Sequence, residues 1–513
     1  MGTRIGRGAL KVVAANIAIT IGLLAVIELT SRVAEYVVDR QQLKNGQLPQ
    51  KHDSELRVFV FGGSSVYGMP VPEVAFVAQM QYWLKRLYPE RNIRIYNFGM
   101  PGANTRYALQ EFHRRLADQP DLMIVITGHN EFLAPFSSER ATSVDEKLAR
   151  YFSTVRLVDR ALAHMMRYRK GAVTPDHVEP RDRLSVAFRN RVAVFEQSIR
   201  DMVSQARQHN VKLIVATLPS NMADWPPIHR KLPGRDQHYS DLVSRIQDCL
   251  RKGEYREASA AISSGFQLYV DDAMLHFLSG KLQAMTGEYS AAREAFLKAR
   301  DLDPVPVRTT SQLNSIIRQA ASGVSGVYML DLERVYEERA KNGLVGFDLF
   351  WDNAHGTPLG ESISAQALIE EMAQIKFLPP LDTSRDRCCP AGPFLADIGY
   401  LKQKSPLHFH SLMQSAKYAM KTPFLNYDIS RGFLLDAMQV DRDSWQVWAN
   451  LGTLSYLTGD AATGAKELQR ATQLHHGGLD VNDRADTPYL KEALQFAATG
   501  QTQDVPCLFP SCK

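Results

Sequence analysis

The chain has 513 residues, 45% of them apolar and 22% charged, with a formal net charge of +5. That length is enough for more than one hydrophobic core, and the composition is ordinary for globular protein. The small positive balance, with no basic stripe interleaved with aromatics, argues against a nucleic-acid partner.

Arg4, Arg7 and Lys11 precede an apolar run, Val12 to Ile27, broken only by Asn16, Thr20 and Gly22. This run is shorter than the roughly 20 residues a spanning helix needs. Extending it from Ala9 to Leu29 brings it close, with Lys11 and Glu28 near the ends, where long side chains reach the interface. No A-x-A cleavage site is evident. Residues 1–40 therefore read as an uncleaved signal-anchor in the inner (plasma) membrane, its basic end cytoplasmic and the rest extracytoplasmic or periplasmic. The competing reading is a buried amphipathic helix of a soluble protein.

Residues 40–55 are polar and read as a linker, after which strands and helices alternate. Arg57–Phe61, bounded by Gly-Gly, reads as a buried strand; Val74–Leu87 has helical spacing; Ile93–Phe98 is a second strand and Arg106–Leu116 a helix. Leu122–Thr127 is a third strand, Phe195–Gln208 a helix, Lys212–Leu218 a fourth strand and Gly326–Leu332 a fifth. Strands separated by helices imply a parallel sheet covered on both faces, with its site beyond the carboxyl ends of the strands. Leu148–Met166 is amphipathic and reads as a solvated surface helix.

About a hundred residues separate the fourth and fifth strands, too many for a loop. Within them Gly253, Tyr255, Ala258 and Ile262 recur as Gly287, Tyr289, Ala292 and Phe296, a period of 34. Ala299, Pro304 and Gly280 complete a pattern that resembles the tetratricopeptide repeat, a helix-turn-helix unit in which small residues let two helices approach. Trp448, Leu451, Gly452, Gly459, Leu468 and Ala471 repeat it more loosely; plain helical hairpins are the alternative for both blocks. The Pro- and Cys-rich stretch 378–395 reads as a boundary. Of the five cysteines, Cys507 and Cys512 could close a small disulfide loop, and the pair at 388–389 lacks the second pair that a zinc site requires.

The expected organisation is thus an anchor (1–40), a first core part (56–235), inserted helical repeats (236–306), a last core part (307–378) and a C-terminal helical region (396–500).

Four short blocks carry chemistry: Phe-Gly-Gly-Ser-Ser at 61–65, Asn-Phe-Gly-Met-Pro-Gly at 97–102, Gly-His-Asn at 128–130 and Asp-Asn-Ala-His at 352–355. Ser64 follows a Gly-Gly turn and opens a helix, where free N–H groups and the helix dipole favour developing negative charge. A simple N-cap is the competing reading for this block alone. Gly102 permits close approach of a backbone N–H, and the Asn130 amide can donate to an oxyanion; taken singly, each is equally a turn residue. His355 can serve as a base, with Asp352 three residues earlier to orient it.

Together the blocks resemble the SGNH (GDSL-type) hydrolase superfamily, named for its Ser, Gly, Asn and His, over residues 57–135, 186–222 and 324–375. The resemblance implies a flavodoxin-like three-layer α/β/α core, ester hydrolysis or acyl transfer through an acyl-enzyme, and no cofactor. It implies Ser64 as nucleophile, His355 as base and Asp352 as its partner, with an oxyanion hole from the N–H groups of Ser64 and Gly102 and the Asn130 side chain. Gly63 stands where the family usually has Asp, which leaves Ser65 as an alternative nucleophile; Gly99 is the alternative to Gly102. His129 has no partner for a metal, and Glu131 reads as a support of its loop.

The function expected is a membrane-anchored serine esterase acting on an O-acyl ester, such as an O-acetylated envelope glycan, with the repeats available to a protein partner. An acyltransferase onto polysaccharide and an inert repeat scaffold are the alternatives.

Overall fold

The computed structural model describes residues 19–20, 22–32, 48–132, 186–228, 237–304, 306–381, 388–420, 426–475, 479, 490 and 493–494. The chain divides into two compact units, residues 1–52 with 135–174 and residues 53–134 with 175–513; the sheet and both helical blocks belong to the second. Residues 22–32 are helical. Among the described residues no helix is long and apolar enough to cross a membrane. Most of the expected anchor lies outside the described residues, as do the Leu148–Met166 segment and Cys507 and Cys512.

Five parallel strands form one sheet: β1 (Glu55–Gly62), β2 (Asn92–Gly99), β3 (Leu122–Ile126), β4 (Lys212–Ala216) and β5 (Val327–Leu330), in the order β2-β1-β3-β4-β5. Val58 to Phe61 of β1 and Leu122 to Val125 of β3 are buried on both faces, as central strands of a parallel sheet must be. The expected strands are all present, with ends shifted by a residue or two. The order reverses between β1 and β3, and in such sheets the crevice opens at that point.

Connections run through α1 (Ser64–Tyr67), α2 (Phe76–Leu87), α3 (Thr105–Arg115) and α4 (Val186–Gln208). Right-handed crossovers send α2 to one face and α3 and α4 to the other, because β1 steps outward to β2 while β2 must step back past β1. Helix α4 starts nine residues before the expected Phe195, through an apolar stretch in which Phe188 and Val192 are buried.

After β4 the described residues run through α5 (Gln237–Lys252), α6 (Tyr255–Leu268), α7 (Ala273–Met285) and α8 (Tyr289–Leu302). Gly253 and Gly287, 34 apart, turn the chain between helices with φ of +76° and +86°. Gly280 lets α7 and α8 touch, since a Cβ there would lie 2.7 Å from the Phe296 ring. After them α9 (Ser311–Ala321) precedes β5, and α10 (Leu332–Arg339) and α11 (Pro358–Gln374) follow it. Buried Arg300 of α8 pairs with Glu333 of α10 at 2.9 Å, tying the inserted helices to the core.

The C-terminal block comprises α12 (Ala391–Asp397), α13 (Pro406–Met420), α14 (Tyr427–Val440), α15 (Trp445–Leu457) and α16 (Ala461–Leu474). Gly452 repeats the device of Gly280, its missing Cβ leaving room for Leu468. Cys388 and Cys389 are joined to each other as a disulfide, a pairing that sequence spacing did not suggest.

The two helical blocks meet at one loop, residues 344–357 between α10 and α11. Val345, Leu349 and Phe350 enter the core of the inserted helices. Trp351 enters the core of α13 to α15, and Phe347 packs with Trp225 and Ala419. Phe433 of α14 meets both Phe347 and Trp351, with ring centroids 6.0 Å apart in each pair.

Candidate active site

Strand β1 ends against β3 so tightly that a Cβ on Gly62 would sit 2.1 Å from the Ile126 carbonyl oxygen. Gly63 is less tightly held: a Cβ there would lie 2.8 Å from the end of the Asn130 side chain and 3.0 Å from the Ala103 carbonyl oxygen. The chain then turns into α1, so the Ser64 N–H is the first of a helix and has no intrahelical acceptor.

Residues 351–357 form a closed turn. The Trp351 N–H donates to the His355 carbonyl at 2.8 Å, and Phe350 bridges to Gly356. Asp352 Oδ1 accepts the N–H groups of Ala354 and His355, both at 2.8 Å. Its Oδ2 lies 2.6 Å from His355 Nδ1, and His355 Nε2 lies 2.7 Å from Ser64 Oγ. Residues 291 apart in sequence thus form one hydrogen-bonded chain. Thr357 caps α11 by accepting the Gly360 N–H, so the Asp-x-x-His turn precedes the helix rather than starting it.

Asp352 and His355 are buried. Burial works against the imidazolium, but the Asp352 carboxylate, by charge and hydrogen bond, with Glu361 behind it, holds His355 above its ordinary value. The Nδ1–H to carboxylate bond leaves Nε2 free to accept from Ser64.

Gly102 has φ of +74° and open space around its Cα, whereas a Cβ on Gly99 would meet the Tyr67 N–H nitrogen at 2.2 Å. Gly99 therefore serves packing under α1, and Gly102 lies open. Neither the Ser64 nor the Gly102 N–H donates to a protein acceptor among the described residues. Asn130 spends one amide proton on the Ala103 carbonyl at 2.8 Å, which orients the side chain and leaves its second proton available. Glu131 receives the Thr105 N–H at 2.8 Å and so ties the third block to α3; burial raises its carboxyl to about 7.

Ser65 points elsewhere. It borders a cavity of about 30 Å³ that it shares with His129, Tyr336, Glu361 and Ser364, room for a water or two. His129 accepts the Thr309 N–H at its Nδ1, and burial, with buried Arg300 and Arg308 nearby, lowers it to about 3, so it is a neutral imidazole. Glu361 accepts the Phe76 N–H at 2.7 Å and lies against Gly356; burial outweighs these contacts and raises it to about 8. Sequence reasoning gave Glu361 no part. Its only local signal is an acidic residue in the first turn after a Thr-Pro cap, which is common at helix starts.

A buried polar layer supports the turn from below. The Asn353 amide donates to the Val307 carbonyl, and buried Arg308 donates to the carbonyls of Asn221 and Trp225.

Residues 60–277 match the model of the GDSL-like lipase/acylhydrolase family. No curated protein matches the chain. Among solved structures, the acetylxylan esterase Axe2 of Geobacillus stearothermophilus is similar at 14% identity and a TM-score of 0.30, over 63% of this chain and 96% of that one. The acetyl xylan esterase AlAXEase is similar at 12% identity and a TM-score of 0.29, over 62% and 99%. LAE5, an α/β hydrolase from the metagenome of Lake Arreo, Spain, is similar at 14% identity and a TM-score of 0.28, over 62% and 94%. Likeness of that size carries no inference about substrate. With that match over residues 60–277, the chain is an enzyme, a hydrolase acting on ester bonds.

Proposed function

We propose that the chain is a serine esterase that removes O-acyl groups, foremost O-acetyl, through an acyl-enzyme on Ser64. The observation that carries this reading is the Ser64–His355–Asp352 chain of hydrogen bonds at 2.7 and 2.6 Å. His355 Nε2 takes the Ser64 proton as Oγ attacks the ester carbonyl, and the Asp352 carboxylate stabilises the imidazolium that forms. The N–H groups of Ser64 and Gly102 and the Asn130 amide receive the oxyanion. The imidazolium returns its proton to the leaving alcohol. A water, deprotonated by His355, then releases the acyl group and regenerates Ser64.

The same reading has the enzyme held at the envelope by its N-terminal apolar run, and its hairpins as tetratricopeptide-like units that mainly wall the site. Alkaline extraction of membranes tests the anchor: a chain released into the supernatant would remove it. The catalytic reading is tested by acetyl-ester turnover and fluorophosphonate labelling of the chain beside Ser64→Ala. Loss of both in the variant is expected. A wild-type chain that neither turns over acetyl esters nor labels would overturn the proposal.

A further inference from the structure

Tyr418 lies on α13, in the C-terminal block, yet its ring stands against the His355 imidazole with centroids 5.7 Å apart and planes at 82°. On its other side it tilts against Trp225, centroids 6.4 Å apart. Trp225 is fully enclosed and His355 nearly so, whereas Tyr418 is only half-buried. The neighbouring aromatics Trp351 and Phe433 pack on each other within the helical core. Tyr418 therefore stands against His355 and keeps part of its surface exposed; on the Ser64 side the partly exposed aromatic is Tyr67, at the end of α1.

The chemistry of ester cleavage says what such a ring would meet. The carbonyl oxygen must face the N–H groups of Ser64 and Gly102 and the Asn130 amide, so the acyl carbon is fixed from that side. The leaving oxygen must lie within reach of the imidazolium proton. The alcohol half of the substrate therefore sits on the imidazole side of Ser64, the side against which Tyr418 is packed. We propose that Tyr418 walls the subsite for the alcohol half, and that this subsite takes a sugar ring. Tyrosine offers a rigid apolar face with a polar tip. That combination suits a pyranose, whose C–H face is apolar and whose hydroxyls remain in water, better than it suits a flexible alkyl alcohol. The inference rests on the esterase reading above and deepens it. It also gives the C-terminal helices a direct part in specificity.

The test uses the full chain and compares kcat/KM for a mono-O-acetyl methyl glycoside with that for methyl acetate. In Tyr418→Ala the glycoside-to-methyl-acetate ratio is expected to fall at least about tenfold, mainly through a raised KM, as loss of a packed group in a specificity pocket does. Tyr418→Phe is expected to restore the ratio to within about threefold. Fluorophosphonate labelling reports whether each variant keeps an assembled site; if Tyr418→Ala does not label, Tyr418→Leu, which fills the space without a ring, carries the same comparison. Equal losses on both esters would reduce Tyr418 to a prop for His355 and overturn the proposal, as would an unchanged ratio. A wild-type chain that labels and hydrolyses both esters while the variants' ratio stays fixed sinks the Tyr418 subsite alone. A wild-type chain that does neither sinks the esterase reading with it.

Discussion

Replacing Asp352 by asparagine tests the proton relay at its least forgiving contact. Both carboxylate oxygens are committed: Oδ1 accepts two backbone N–H groups at 2.8 Å and Oδ2 faces His355 Nδ1 at 2.6 Å. An asparagine keeps its oxygen on the two backbone donors and so turns its NH₂ toward Nδ1. Two donors cannot share that contact, and the imidazole is driven to carry its proton on Nε2, the nitrogen that must accept from Ser64. The turn survives and the base is lost. A hydrogen bond to a charged group contributes about 1.5–3 kcal/mol, and the same exchange in a serine protease triad lowers kcat by about 10⁴. We expect Asp352→Asn to lower kcat for an acetyl ester by about 10³–10⁴, roughly 4–5.5 kcal/mol, with KM little changed. Steady-state rates, normalised to the circular dichroism and melting temperature of the folded variant, give the number. A fall of less than about tenfold would refute the reasoning, because His355 would then be working without its partner.

Three further outcomes are expected. Ser65→Ala should keep most of the activity, because Ser65 borders the small cavity beside Glu361 rather than His355; a loss matching that of Ser64→Ala in acetyl-ester kinetics would move the nucleophile by one residue. Gly280→Ala should destabilise by about 1–3 kcal/mol, its new Cβ meeting the Phe296 ring, whereas Gly432→Ala, in open space on α14, should stabilise by about 0.5–1 kcal/mol; urea midpoints that shift in the same direction would contradict the packing described. The pH dependence has a definite sign: Glu361, with an ordinary 4.5 raised to about 8, keeps a proton in the folded state that the unfolded chain releases. Its contribution to stability is therefore full below about 4.5 and is lost as the pH rises through about 8. His129, lowered to about 3, acts oppositely between about 3 and 6.5. Denaturation midpoints from pH 6.5 to 9 should thus fall more steeply in the wild type than in Glu361→Gln; parallel curves would count against a protonated Glu361.

The strands were legible because a central parallel strand is an unbroken apolar run ended by glycine, and Arg57–Phe61 or Leu122–Ile126 has no other use for such a run. The period of 34 was legible because close helix contacts admit only small residues, as Gly280 against Phe296 shows. The four blocks could be seen for a different reason: each needs particular atoms at a strand end, so residue type and location coincide. What could not be read was the company these residues keep. Tyr418 meets His355, Phe76 meets Glu361 and Thr309 meets His129 across long stretches of chain. None of these partners is special in type, and a buried Glu looks in sequence like any acidic residue at a helix start. Likewise, Phe350 and Trp351 read as ordinary apolar residues, although together they seat one loop in two helical cores.

That loop has a consequence for how the enzyme comes to life. Asp352 and His355 sit on a turn whose Trp351 side chain is housed by helices made after it, up to α15 at Leu457. During synthesis the sheet and Ser64 can be in position while the turn that carries Asp352 and His355 still lacks the helices that house Trp351. Chemical competence is then a property of the finished chain, gained late and all at once. A synthesis time course should show fluorophosphonate reactivity appearing only after α15 has left the ribosome, so that a half-made chain cannot attack esters.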